Sequence, residues 1–261
     1  MKTPAAIAAV SRTLHRRSLN VLGILENRLA PIIMGWVALI LAACFLRILV
    51  SPLPPQGLSL AMVTPYLLLI GAPAASLLLA LRWFADGEAM PQPSYRLARA
   101  GRWQDLAPSI ARRHPLYGTS GIMVSLLVGM LLNIPVRAAE YLMTMPAIGA
   151  AAPEWLSVLH FWMTLDAVLV SSLYAVCFAA AIRKVPLFPR LLLLVWLVDI
   201  AMQLLIAQGA VATGLPPSVA APLHVLLEKN ITKVMISMGL WLPYLLLSTR
   251  VNVTYRSRIP A

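Results

Sequence analysis

The positions of the basic residues constrain this chain more than any other feature. Six long apolar runs divide the sequence, and the Lys and Arg residues gather in alternate gaps between them. The runs are Ala30–Val50, Leu58–Trp83, Tyr117–Ala138, Leu156–Ile182, Leu187–Ala212 and Ile231–Leu247. Each meets the length of about 20 residues needed to cross a hydrocarbon core as a helix. Of the 21 Lys and Arg, five precede the first run and six lie at or after the second. Three more flank the gap after the fourth, and three follow the sixth. Only Arg47, Arg137, Lys229 and Lys233 remain for the other side. Basic residues favour the cytoplasmic side of a bilayer. The expected fold is therefore an all-α membrane protein, a six-transmembrane-helix bundle with both termini in the cytoplasm.

Composition agrees with a lipid solvent. The chain is 60% hydrophobic and 11% charged, whereas soluble domains carry about 25% charged residues. The net charge of +12 reads as a topology signal and as attraction to anionic lipid heads. No basic domain of a size to bind nucleic acid is left over. The expected partners are the lipid bilayer and a possible membrane-protein partner, without nucleic acid. Cys44 and Cys177 fall in different spans at different depths and read as small buried hydrophobes.

Residues 1–28 form a basic arm in which Ile7, Val10, Leu14, Val21 and Leu25 recur at helical spacing, with Arg12 off that stripe. Such a stripe fits an amphipathic helix lying on the membrane surface, or a partly ordered tail. Residues 29–256 hold the bundle, with a cytoplasmic loop at about 84–116. That loop carries Tyr95, Trp103, Leu106 and Ile110 among its arginines and is expected to rest on headgroups. Asp86-Gly87 and Ala100-Gly101 read as turns. In the second span, Gly71/Ala75 and Ala72/Ser76 offer small residues at i,i+4 for close helix approach.

Charged side chains within spans are costly, so each calls for a partner or a cavity. Asp199 lies near the middle of the fifth span, with Gln203 and Trp196 on the same face. Asp166 lies slightly outward in the fourth. Arg47, Arg137 and Lys233 occupy the outer thirds of the first, third and sixth spans, and Glu140 and His160 lie near the outer surface. One reading pairs the two carboxylates with these cations to tie the helices together. The other lets them line an outward cavity for a cation, a proton or a polar substrate.

No enzymatic constellation survives inspection. Gly118-Thr-Ser-Gly121 matches the Gly-x-Ser-Gly of rhomboid intramembrane proteases, but the sixth span has no histidine. Ser120 and His160 are expected at opposite faces of the bilayer, and a catalytic dyad needs hydrogen-bond reach. No His, Cys, Asp or Glu run has metal-ligand spacing, and no cofactor is expected.

The C-terminal third carries a resemblance. Leu240-Trp-Leu-Pro-Tyr244, Ser248-Thr-Arg-Val251 and Thr254-Tyr255 resemble the end of the YdgK-like family of uncharacterised bacterial inner-membrane proteins, a domain of unknown function. Arg183-Lys184 with Phe188-Pro189-Arg190, and Gly35-Trp36, are similar to further family features. The resemblance covers about residues 160–256 and the first span. Family members resemble a four-span design, and Lys or Arg is common where Thr249 stands. The resemblance implies a multi-pass inner-membrane location and supplies no catalytic residue. Trp241, Pro243, Tyr244 and Arg250 read as an interfacial anchor, or as a docking motif for a partner. Two functions follow as expectations: a non-enzymatic accessory, assembly or regulatory component of a membrane complex, or a small secondary transporter or ion-coupled permease using the mid-membrane carboxylates.

Overall fold

The computed structural model describes residues 5–51, 59–94, 101–149 and 152–261. Tyr95 and the Pro-rich link after the first span lie outside these residues. So do the side chains of Ile7, Val10, Arg12 and Leu14, although their backbone lies within the first helix.

Six helices are long and apolar enough to cross a membrane: α2 (Leu29–Val50), α3 (Leu60–Trp83), α5 (Met123–Thr144), α6 (Glu154–Ile182), α7 (Phe188–Ala212) and α8 (Pro217–Leu247). The chain is a multi-pass, all-α membrane protein. The helix before the first span and the segment after the sixth meet at one end of the bundle, called here the terminal face, where Gly121 N–H donates to Ser18 Oγ and Arg250 to Ser120 Oγ. At that face lie α1 (Ala5–Asn27), the short α4 (Pro108–Arg112) and α9 (Thr249–Arg256).

The third and sixth spans differ from the sequence expectation. Gly118 and Gly121 hold φ of 105° and 73°, in the left-handed region, so the chain turns there and α5 starts only at Met123. The sixth helix is one continuous element from Pro217, whereas the sixth apolar run begins only at Ile231. Pro217 suits a first helical turn, where its missing N–H has no intrahelical partner anyway.

The central helix is α6, which packs against α3, α5 and α7. Of its most apolar stretch 61% is buried, against 11% for α2 and 17% for α8. Small residues explain this place: Ser171, Ala175, Ala179, Ala180 and Ala181 are all buried and let neighbouring helices approach. The helix α3 turns only one of its two expected small-residue pairs outward, Ala72 and Ser76 being half-buried. Its buried face is Tyr66, Leu69, Pro73, Leu77 and Ala80, while Gly71 and Ala75 are exposed.

Buried apolar side chains form two layers. One, nearer the terminal face, gathers Met123, Leu127, Phe178, Leu192 and Trp196. The other, toward the opposite face, gathers Ile40, Tyr66, Tyr141, Leu159 and Ile206. Cys177 lies in the first and Cys44 in the second, and both thiols are free.

The terminal face is closed by the chain's own C-terminus. Val251, Asn252, Val253, Thr254 and Tyr255 of α9 are all buried. Tyr255 donates its hydroxyl to Ala181 O at 2.8 Å, and full burial raises its phenol well above the ordinary range. Beyond α9, β2 (Arg258–Pro260) pairs antiparallel with β1 (Trp103–Asp105), with Gln104 opposite Ile259. The loop after α3 is thus tied to the C-terminus, and Arg258 stacks over the Trp103 ring at 4.9 Å.

The turn from α6 to α7 is tightly built. Lys184 N–H bonds Ala181 O and Val185 N–H bonds Ala180 O, the paired bonds of a Schellman ending. The left-handed position of that motif usually belongs to glycine, yet Lys184 occupies it with φ of 54°. Its ammonium bonds Glu88 and lies 5.3 Å from the Tyr117 ring. Gly87 packs onto this turn, and a Cβ there would stand 2.5 Å from Arg183 O and 2.7 Å from Val185 Cγ2. One of those atoms is backbone inside a hydrogen-bonded turn, so it yields poorly. Gly87→Ala is expected to cost about 1–3 kcal/mol, as overpacking does, read as a lower thermal midpoint in detergent.

Candidate functional site: a buried ionic layer

Between the two apolar layers lies a plane of polar side chains. Arg137 stands on α5 between Ile134 of the first layer and Ala138 of the second. From α6 comes Asp166, and from α7 Asp199. All three are buried, Asp199 completely. Arg137 Nη1 donates to Asp166 Oδ2 at 2.5 Å, and Nη2 donates to Asp199 Oδ1 at 2.6 Å. One planar guanidinium therefore bridges three helices, a task its fixed fork suits better than a lysine ammonium would.

The remaining carboxylate oxygens are also engaged. Gln203 Nε2 donates to Asp166 Oδ1 at 3.0 Å, and the Tyr174 hydroxyl lies 3.5 Å from Asp199 Oδ2. All four oxygens of the two carboxylates thus have a donor, which is the condition for burying such groups without a large penalty.

A strap of amides leads away from the layer. Asn230 Nδ2 donates to Gln203 Oε1, and Lys233 Nζ donates to Asn230 Oδ1, both at 3.3 Å. Lys233 also bonds Glu140. The two ends fix how the amides point, because a carboxylate only accepts and an ammonium only donates. Every donor is therefore directed toward Asp166. The strap adds α8 to the helices joined at this level.

A second polar node lies farther from the terminal face. Thr164 Oγ1 donates to His160 O at 2.7 Å, so it accepts from the Tyr141 hydroxyl at 2.8 Å. The Tyr141 oxygen then accepts from His160 Nε2 at 3.1 Å. This chain of bonds places the imidazole proton on Nε2.

Of the sequence-predicted residues, Asp166, Asp199, Gln203, Arg137 and Lys233 come together in one network. Arg47 does not join it. Its Nε donates to Met145 O at 2.9 Å, binding α2 to the segment after α5. Tyr174 and Asn230 belong to the network and were missed. For Asn230 the signal was in the sequence, since it stands three residues before Lys233 on the same helix face.

The C-terminal motif divides. Trp241 and Tyr244 are half-buried and meet edge to face at 5.9 Å, while Pro243 is exposed. Arg250 Nη1 instead donates to Ser120 Oγ at 2.8 Å, holding the hydroxyl of the Gly-x-Ser-Gly stretch. Among the described residues no three His, Cys, Asp or Glu converge as metal ligands.

Comparison with known proteins yields no match among family models, curated proteins or solved structures.

Proposed function

We propose that this chain is a non-enzymatic multi-pass protein of a bacterial inner membrane that serves as an accessory, assembly or regulatory component of a membrane complex. In this reading the terminal face, rich in arginine, is cytoplasmic. The observation that carries the proposal is the engagement of all four oxygens of Asp166 and Asp199 by Arg137, Gln203 and Tyr174. Groups so engaged serve to fix the helices, and neither carboxylate lines any of the clefts near the terminal face. The resemblance of the C-terminal third to the YdgK-like family supports the location.

One observation favours a second reading, an ion-coupled permease. With both carboxylates ionised, one guanidinium opposes two negative charges, so the layer carries a net charge of about −1. A buried excess of this kind is a place where a proton or cation adds favourably. Lys233 is itself balanced by Glu140, so the amide strap eases that charge only by directing its donors toward Asp166, which needs no added ion and weighs toward the structural role.

The test uses the intact protein in two formats. Extracted mildly from native membranes, it is expected to carry a stoichiometric membrane partner. Reconstituted in liposomes with a pH-sensitive dye and an imposed potential, it is expected to pass no current. Proton or cation flux that Asp199→Asn abolishes, with folding retained, would replace the accessory reading by the permease.

A further inference from the structure

A second polar site lies at the terminal face, away from the ionic layer. The N-terminal end of α7 and the C-terminal end of α8 bound a small cleft that encloses about 70 Å³. Arg190, Arg256 and Arg258 line it, and none of the residues that line it is acidic. The Arg256 guanidinium is depressed to about 10, by burial first and then by the charges of Arg258 and Arg190. Arg190 and Arg256 therefore bring two like charges to one small volume, beside the buried Arg258 that Asn252 Oδ1 and the Trp103 ring hold. Arg256 is held in place by bonds from Nη1 to Leu245 O and Asn252 Oδ1, both at 2.9 Å. A fixed, partly desolvated cation is a preorganised anion binder.

The other wall is apolar. Leu193, Leu242 and Leu246 line the cleft, and each lies within about two helical turns of a span end. Arg190 is the third residue of α7, one turn before Leu193. At about 1.5 Å rise per residue, Leu193 lies about 4.5 Å farther into its span than Arg190. The cleft thus joins cationic side chains near the span ends to an apolar wall on α7 and α8.

We propose that this cleft binds the phosphate of an anionic phospholipid, the headgroup on Arg190 and Arg256 and the acyl chains along α7 and α8. Basic pockets between transmembrane helices are suited to such headgroups. The apolar wall selects a lipid over a free phosphate. The inference is independent of whether the ionic layer is structural or transporting.

The experiment measures the thermal midpoint of the full-length protein in detergent during titration with phosphatidylglycerol, phosphatidylcholine or inorganic phosphate. Lipids kept through a delipidating wash are identified by native mass spectrometry. Phosphatidylglycerol is expected to raise the midpoint, phosphatidylcholine and inorganic phosphate to leave it unchanged, and one anionic lipid to remain bound. Arg190→Gln spares the bonds that hold Arg256 and should weaken phosphatidylglycerol about fivefold, the loss of one interfacial cation. Leu193→Glu places a carboxylate among the arginines and should abolish the shift, measured against that variant's own lipid-free midpoint. Equal shifts with both lipids, or a phosphatidylglycerol shift unchanged in both variants, would overturn the proposal. A shift with inorganic phosphate alone would overturn the lipid as the source and leave a soluble phosphate compound in its place.

Discussion

Arg137→Met is expected to be the most damaging single substitution in the ionic layer, costing about 3–5 kcal/mol. The methionine fills most of the vacated volume, so the loss is electrostatic. It leaves Asp166 and Asp199 facing each other from α6 and α7 between two apolar layers, without the donors they now share. Charge counting sets the order of the other variants. Asp166→Asn or Asp199→Asn leaves one guanidinium opposite one carboxylate, a balanced pair, and gives up mainly a hydrogen bond worth about 1–2 kcal/mol. The double variant strands Arg137 without a counter-charge and should approach the damage of Arg137→Met. Arg137→Lys keeps the charge but loses the fork that spans two helices, so it falls between. Thermal midpoints of the five proteins in one detergent give the ranking directly. If Arg137→Met is tolerated as well as Asp166→Asn, the layer does not hold the helices together.

This layer was partly legible in the sequence. Asp166, Asp199, Gln203, Arg137 and Lys233 stand out because each interrupts an apolar run. Sequence gives the depth of each along its helix, but not the direction it faces across the bundle. Arg47 lies in a plausible outer third and faces the carbonyl of Met145, while Arg137 turns inward. Only the packing of α5 against α6 decides between them. The span count was legible for the same reason the polar residues were. The start of α5 was not, because Gly118 and Gly121 look like small packing residues and act as left-handed turn positions. The β1–β2 ribbon was hidden too. Its strands are three residues long, far apart in sequence, and one ends in Pro260. No periodicity can build up over so short a span.

The largest effect outside the membrane layer is expected at Asn252, a residue that composition and spacing leave inconspicuous. It is completely buried. Its Nδ2 donates to Leu246 O and Ser248 O, both at 2.9 Å. Its Oδ1 accepts from Arg256 Nη1 at 2.9 Å and Arg258 Nε at 2.7 Å. Only one orientation of the amide satisfies these partners, since carbonyls accept and guanidinium groups donate. One side chain thus joins backbone carbonyls at the end of α8 to two arginines that follow it. Asn252→Ala unties all four bonds and leaves buried carbonyls and a buried guanidinium without them, a cost of about 2–4 kcal/mol. Asn252→Asp separates the two halves of this clasp. The carboxylate gains attraction to both arginines but sets an oxygen against the two carbonyls, so it should recover only part of the loss. Full stability in Asn252→Asp would mean that the arginine half alone matters. A drop as large as that of Asn252→Ala would place the weight on the carbonyls of the α8 terminus. Because Arg256 and Arg258 also line the basic cleft, Asn252→Ala should weaken anionic lipid binding as well. Arg190→Gln should weaken that binding with the clasp intact, which separates loss of the site from loss of the fold around it.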